Sequence, residues 1–195
     1  MITFDYKYKS FLSLISSTST EEVVQKVIFD SFPFAFTHTP ENYWLLRTSV
    51  CKKFEIHPQN FSIIGSAKLG FSLNPKKRGT PFSDGSDIDV VLISDNLFET
   101  LWLKLITYRN SVYCQLDSNS KKRFEDLQKI LFWGQLRLDK LSDSFDFAKE
   151  WWTFFNELSI DVKYGKRQIR AAIFKSWHHA TYYYEKSINK IKEHS

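Results

Sequence analysis

Two cysteines, one methionine, six glycines and five prolines are all that this 195-residue chain holds of those types. Cys51 and Cys114 are too few for a disulfide scaffold and have no zinc-ligand spacing. A reducing intracellular setting is the default for such a chain, so a cytoplasmic location is expected. The scarcity of Gly and Pro leaves few breakers and predicts a chain rich in regular structure. No apolar run reaches the ~20 residues of a membrane span, because charges interrupt every candidate, and no membrane association is expected. Lys7 and Lys9 lead only into the short apolar cluster Phe11 to Ile15. Ser and Thr follow it at once, which argues against a secretory signal. The charge excess is small too: 27 Lys and Arg against 22 Asp and Glu give +5. That permits an anionic ligand without requiring one.

Aromatic residues are plentiful, at 17% of the chain, within a hydrophobic share of 43%. This supplies the bulk for a core and excludes a mostly disordered chain. The length fits a single domain over residues 1–195.

Punctuation divides the chain. Ser19 with Glu22 reads as a capping box ahead of Val23, Val24, Val27 and Ile28, and Pro33 should end that helix. Thr39 and Pro40 predict the cap and first residue of a second helix running to about Phe54. Phe61-Ser62-Ile63-Ile64 reads as a buried strand ending in the turn Gly65-Ser66. Residues 67–86 read as loop, with a short helical turn near Ala67 to Gly70. Asp87 to Ser94 reads as a second strand, alternating at first and then apolar throughout. A helix over Phe98 to Thr107 and a third strand over Val112 to Leu116 are expected next. From Lys121 the spacing of Phe124, Leu127, Ile130 and Leu131 is helical, as is that of Phe147, Trp151, Phe154, Phe155 and Leu158. Ser159 to Gly165 is a break or a short strand. Arg167 to Lys192 reads as one long terminal helix, with Ile169, Ile173, Trp177, Ala180, Tyr184, Ile188 and Ile191 on one face. The expected fold class is α+β, with a small mixed β-sheet enclosed by helices and a helical C-terminal half, about 121–195.

The chemistry concentrates in one stretch. A Gly-Ser turn leaving a strand lets backbone approach phosphates, and its N–H groups can hold an anion. Asp87 and Asp89, two apart on a strand, point to the same face. Such paired carboxylates supply the hard oxygen ligands that Mg²⁺ prefers. A metal held there would neutralise a triphosphate and help activate a hydroxyl nucleophile.

The text IIGSAKLGFSLNPKKRGTPFSDGSDIDVVLIS, with its Gly-Ser turn and SDIDVVLI, resembles the signature of the nucleotidyltransferase superfamily, the DNA polymerase β-like fold. The match spans residues 61–94. The resemblance implies a nucleotidyltransferase-type sheet and metal-dependent transfer of a nucleoside monophosphate from a nucleoside triphosphate, ATP among them, to an acceptor hydroxyl. It implies that Asp87 and Asp89 hold catalytic Mg²⁺ or Mn²⁺, and that Gly65 and Ser66 contact the terminal phosphates. Lys68 would reach a phosphate as a point charge, and Ser86 would fix the turn before the acid pair. The acceptor is a tRNA end, a protein or a small molecule, and a bacterial toxin–antitoxin or phage-defence setting is the analogy. Two departures stand out. The connection between the motif halves is long and rich in Gly and Pro. A third carboxylate, which active members carry on a later strand beside the first two, is not placed. Asp161 and Asp117 are the candidates. Without it, the alternative is a catalytically inactive module binding nucleotide, nucleic acid or a partner protein.

The remaining features have plain readings. Lys76-Lys77-Arg78 suits a solvated loop, with a phosphate or nucleic-acid role as the sharper alternative. Lys121-Lys122-Arg123 and Lys163, Lys166, Arg167 and Arg170 are most simply surface charges that together could line a path for RNA or DNA. If only that basic surface acts, binding would depend steeply on salt and survive loss of Asp87 and Asp89. Trp151-Trp152 and Tyr182-Tyr183-Tyr184 read as packing residues, and adjacent His178-His179 face different directions on a helix. Cys51 and Cys114 read as buried thiols.

Overall fold

The computed structural model describes residues 4–142 and 144–193, with side chains from Lys7 onward. The helix α1 (Phe4–Ser17) is followed by α2 (Thr20–Val23), which widens into a π-helical segment, Val24–Asp30. Ser19 caps α2 by accepting from the Glu22 amide at 3.2 Å. Glu22 does not close the box; its carboxylate pairs with Lys26 instead. Pro40 opens α3 (Pro40–Lys53) at its first turn, where a missing N–H costs nothing. The strand β1 (Phe61–Ile64) runs directly into the short helix α4 (Gly65–Leu69). After the loop come β2 (Ile88–Ile93), α5 (Asp95–Val112), α6 (Ser118–Leu131), β3 (Gln135–Leu136), α7 (Asp146–Ile160), β4 (Ile169–Phe174) and α8 (Trp177–Lys192).

The sheet order is β1-β2-β4-β3. Strand β2 is central: β1 flanks it antiparallel and β4 parallel. Both faces are covered, as the near-continuous apolar run of β2 requires. One face, carrying Ile63, Val90, Leu92, Ala171 and Ile173, packs on α3, α5, α6 and α7. The other, carrying Val91, Ile93 and Phe174, packs on α1, the α2–π segment and α8. The chain is thus α+β with a four-stranded mixed sheet between two helical layers. Among the described residues, no helix is long and apolar enough to cross a membrane.

Three expected elements differ. Val112 to Leu116 is the end of α5 and a 3₁₀ turn, not a strand. Residues 159–165 finish α7 and form a second 3₁₀ turn. The largest difference is the terminal helix, whose first part is strand β4. Ile169 and Ile173 are four apart, which places two residues on one face of a helix and of a strand alike. The true helix starts at Trp177, capped by the Ser176 hydroxyl, which accepts from the His179 amide. The C-terminal half therefore contributes two of the four strands.

Candidate functional site

Strand pairing joins the two halves of the motif. Ile64 lies opposite Asp89 in the β1–β2 register, so the residue after Ile64 turns beside the carboxylate. That residue, Gly65, has φ +66°, and a Cβ on it would stand 3.2 Å from Asp89 Oδ2. Only glycine allows this backbone and this approach at no cost. Asp87 lies just before β2, two residues upstream of Asp89. A turn, closed by the Ser86 amide donating to the Ser83 carbonyl, presents it. The Ser86 hydroxyl accepts from the Ser83 amide at 3.0 Å. Arg167, just ahead of β4, ties this turn down by donating to the Ser83 carbonyl and to Asp84 at 2.8 Å.

A cleft of about 430 Å³ opens between the motif and α8. Gly65 and Asp89 form part of its floor, Arg137 and Arg170 its sheet side, Arg78 its loop side, and Tyr184, Ser187 and Lys190 its α8 side. Ser66 is half-buried in the first turn of α4 and does not border it. Burial, and then the neighbouring charge of Asp87, push the Asp89 carboxyl above the usual carboxylate range, against the pull of Arg137 and Arg170.

Lys68 is placed elsewhere. It is buried, and its ammonium donates to the Phe29 carbonyl at 2.8 Å and to that of Ser31. Burial lowers its pKa to about 8, with Asp30 opposing. Those bonds stitch α4 to the π segment, and a phosphate in the cleft does not meet this ammonium. The short basic run divides as well: Lys76 and Lys77 are exposed, and Arg78 turns into the cleft.

Neither candidate for the third carboxylate reaches the pair. Asp117 caps α6, accepting from the amides of Asn119 and Ser120 and from the Ser120 hydroxyl. Asp161 accepts from the Lys163 amide and starts the 3₁₀ turn after α7. The strand position beside Asp89 belongs to Arg170, its register partner on β4. The Arg170 guanidinium lies 3.5 Å from Asp87 Oδ2. Arg137, from β3's end, forms a two-pronged pair with Asp139 at 3.0 and 2.6 Å. Among the described residues no group of three or more His, Cys, Asp or Glu gathers as a metal site. Asp87 and Asp89 are the carboxylates here that could hold a divalent cation.

No local pattern singles out Arg137, and along the chain Arg170 reads as a surface charge. The alternation Ile169-x-Ala171-x-Ile173 was the available signal: read as a strand, it turns Arg170 to the same face as Asp89. No family model, curated protein or solved structure matches the chain.

Proposed function

We propose that the cleft takes a nucleoside triphosphate and that the protein is a nucleotidyltransferase, moving a nucleoside monophosphate to an acceptor hydroxyl of a tRNA, a protein or a small molecule. One observation carries this reading: the Gly65 turn and the Asp89 carboxylate, 24 positions apart in sequence, lie side by side on the floor of a cleft walled by cations, so close that a Cβ on Gly65 would stand 3.2 Å from Asp89 Oδ2. In this reading Asp87 and Asp89 hold a divalent cation, Mg²⁺ or Mn²⁺. When bound, such an ion neutralises triphosphate charge and eases deprotonation of the acceptor hydroxyl. The main chain at Gly65 follows the terminal phosphates, and the Ser86 turn fixes Asp87. The acceptor oxygen bonds to the α-phosphorus as the bond to the β-phosphate oxygen breaks, releasing pyrophosphate and the hydroxyl proton.

The test is label transfer from each NTP with Mg²⁺ or Mn²⁺, offering total tRNA and a cell extract as acceptors. Transfer lost in an Asp87→Ala/Asp89→Ala variant is the expected result. Arg170 favours a second reading, a catalytically inactive nucleotide-binding module, because a guanidinium holds the strand position where a third carboxylate would sit. NTP binding that depends on the acid pair, with no transfer to any acceptor, would select it. No transfer and no NTP binding by the intact protein would refute both.

A further inference from the structure

The charge around the acid pair has the opposite sign from a multi-carboxylate metal centre. Arg170 stands beside Asp89 and contacts Asp87 at 3.5 Å. Arg137 acts on Asp89 from the end of the neighbouring strand β3, and Lys190 lines the opposite wall on α8. Arg78 completes the ring from the loop. It has no hydrogen bond or ion pair with another described residue, yet its Nε is buried. A buried guanidinium N–H without an acceptor is costly, and a phosphate oxygen in the cleft would satisfy it. Among the described residues, Asp87 and Asp139 are the carboxylates whose charges act on Asp89 beside those of Arg137 and Arg170. Asp87 is paired with Arg170 and Asp139 with Arg137, while the buried Nε of Arg78 has no acceptor.

We infer that the guanidinium groups of Arg78 and Arg170, with Arg137 behind them, grip the ligand's polyphosphate directly, so that nucleotide binding here does not require a divalent cation. This rests on the reading of the cleft as a nucleoside triphosphate site. Guanidinium suits the role: it is always charged, flat, and able to give two parallel N–H bonds to one phosphate. In this arrangement Arg170 takes over phosphate neutralisation that a fuller metal centre would supply. The metal is left to the transfer step alone.

Isothermal titration of the full chain with ATP, and separately with inorganic tripolyphosphate, in EDTA and in Mg²⁺, tests the idea. ATP should bind in EDTA within about threefold of its affinity in Mg²⁺, and Arg78→Gln and Arg170→Gln should each weaken it at least about tenfold in EDTA. Lys76→Gln, an exposed neighbour in the same basic run, should leave affinity unchanged. Arg170→Asp should abolish binding in EDTA and raise Mn²⁺ affinity, read directly with the metal alone. Circular dichroism and thermal melts confirm folding of each variant, and all three substituted positions are partly or fully exposed. Binding only in Mg²⁺ would overturn the inference and leave the nucleotide reading standing. Equal weakening by Lys76→Gln would overturn it in favour of diffuse surface charge. No ATP binding in either condition would overturn both.

Discussion

Replacing Gly65 with alanine tests the joint between the motif halves. The backbone there is left-handed, φ +66°, which costs a residue with a Cβ about 1–2 kcal/mol. The new Cβ would also sit 3.2 Å from Asp89 Oδ2, so the carboxylate must retreat by a few tenths of an ångström. Asp89 is partly buried with Gly65 beside it, so overpacking adds about 1 kcal/mol. The sum, about 2–3 kcal/mol, corresponds to a fall in melting temperature of about 4–12 °C for a chain of this size. Urea unfolding of Gly65→Ala beside Gly85→Ala provides the comparison. Gly85 has open space around it and no left-handed φ, so its substitution should stay within about 0.5 kcal/mol. In an Asp89→Ala background the contact share vanishes, and Gly65→Ala should then cost only the backbone share, about 1–2 kcal/mol. If Gly65→Ala is no worse than Gly85→Ala, the close approach is not real. An unchanged cost in the Asp89→Ala background would refute the contact while sparing the backbone argument.

Three further outcomes are expected. The lowered pKa of Lys68, about 8 against the usual 10.5, means that between those values the unfolded chain holds a proton the folded one has released. Stability should therefore rise with pH across that window, and Lys68→Met should remove that part of the slope in urea titrations at several pH values. Parallel slopes for the two proteins would refute it. Leu92, wholly buried in the central strand, should cost about 3 kcal/mol as alanine by chemical denaturation, and a loss under 1 kcal/mol would contradict its packing. Ser94 caps α5 by accepting from the Leu97 amide at 3.1 Å, so Ser94→Ala should cost about 1 kcal/mol, and Ser94→Asp close to none.

The sequence made β1, β2 and the turn between them readable because those elements carry strong local signals. An apolar run ends at a glycine, and an acid pair leads a strand buried on both faces. The cap at Ser19 and the helix start at Pro40 were equally local. What escaped was what only pairing decides. Ile169, Ile173 and Trp177 satisfy both periodicities, and two alanines between them favour a helix in isolation. The partner β2 overrides that preference by offering a full parallel ladder. With β4 hidden, its register with Asp89 was hidden too, and Arg170 could not be told from a solvated charge. Asp117 and Asp161 show the converse: an acid near a structural break is most often occupied by the break's own amides. Lys68 illustrates burial that no local pattern announces, since its carbonyl partners lie almost 40 positions upstream.

The parallel β2–β4 pairing also bears on how the chain assembles. Its strands lie about 80 residues apart, so the ladder forms only after a large loop has closed, and non-local pairing of this kind folds slowly. During synthesis, β1 and β2 are complete long before β4 leaves the ribosome. In that interval β2 has one edge paired and the other bare, with Val90, Val91 and Leu92 along it. An apolar open edge invites another chain's strand to add to it. The carboxylate pair meets its guanidinium neighbour only when that edge is sealed. Closing the edge and assembling the cleft are therefore one event, and a slow or misdirected β4 would yield a chain both aggregation-prone and without the Arg170 wall of its cleft.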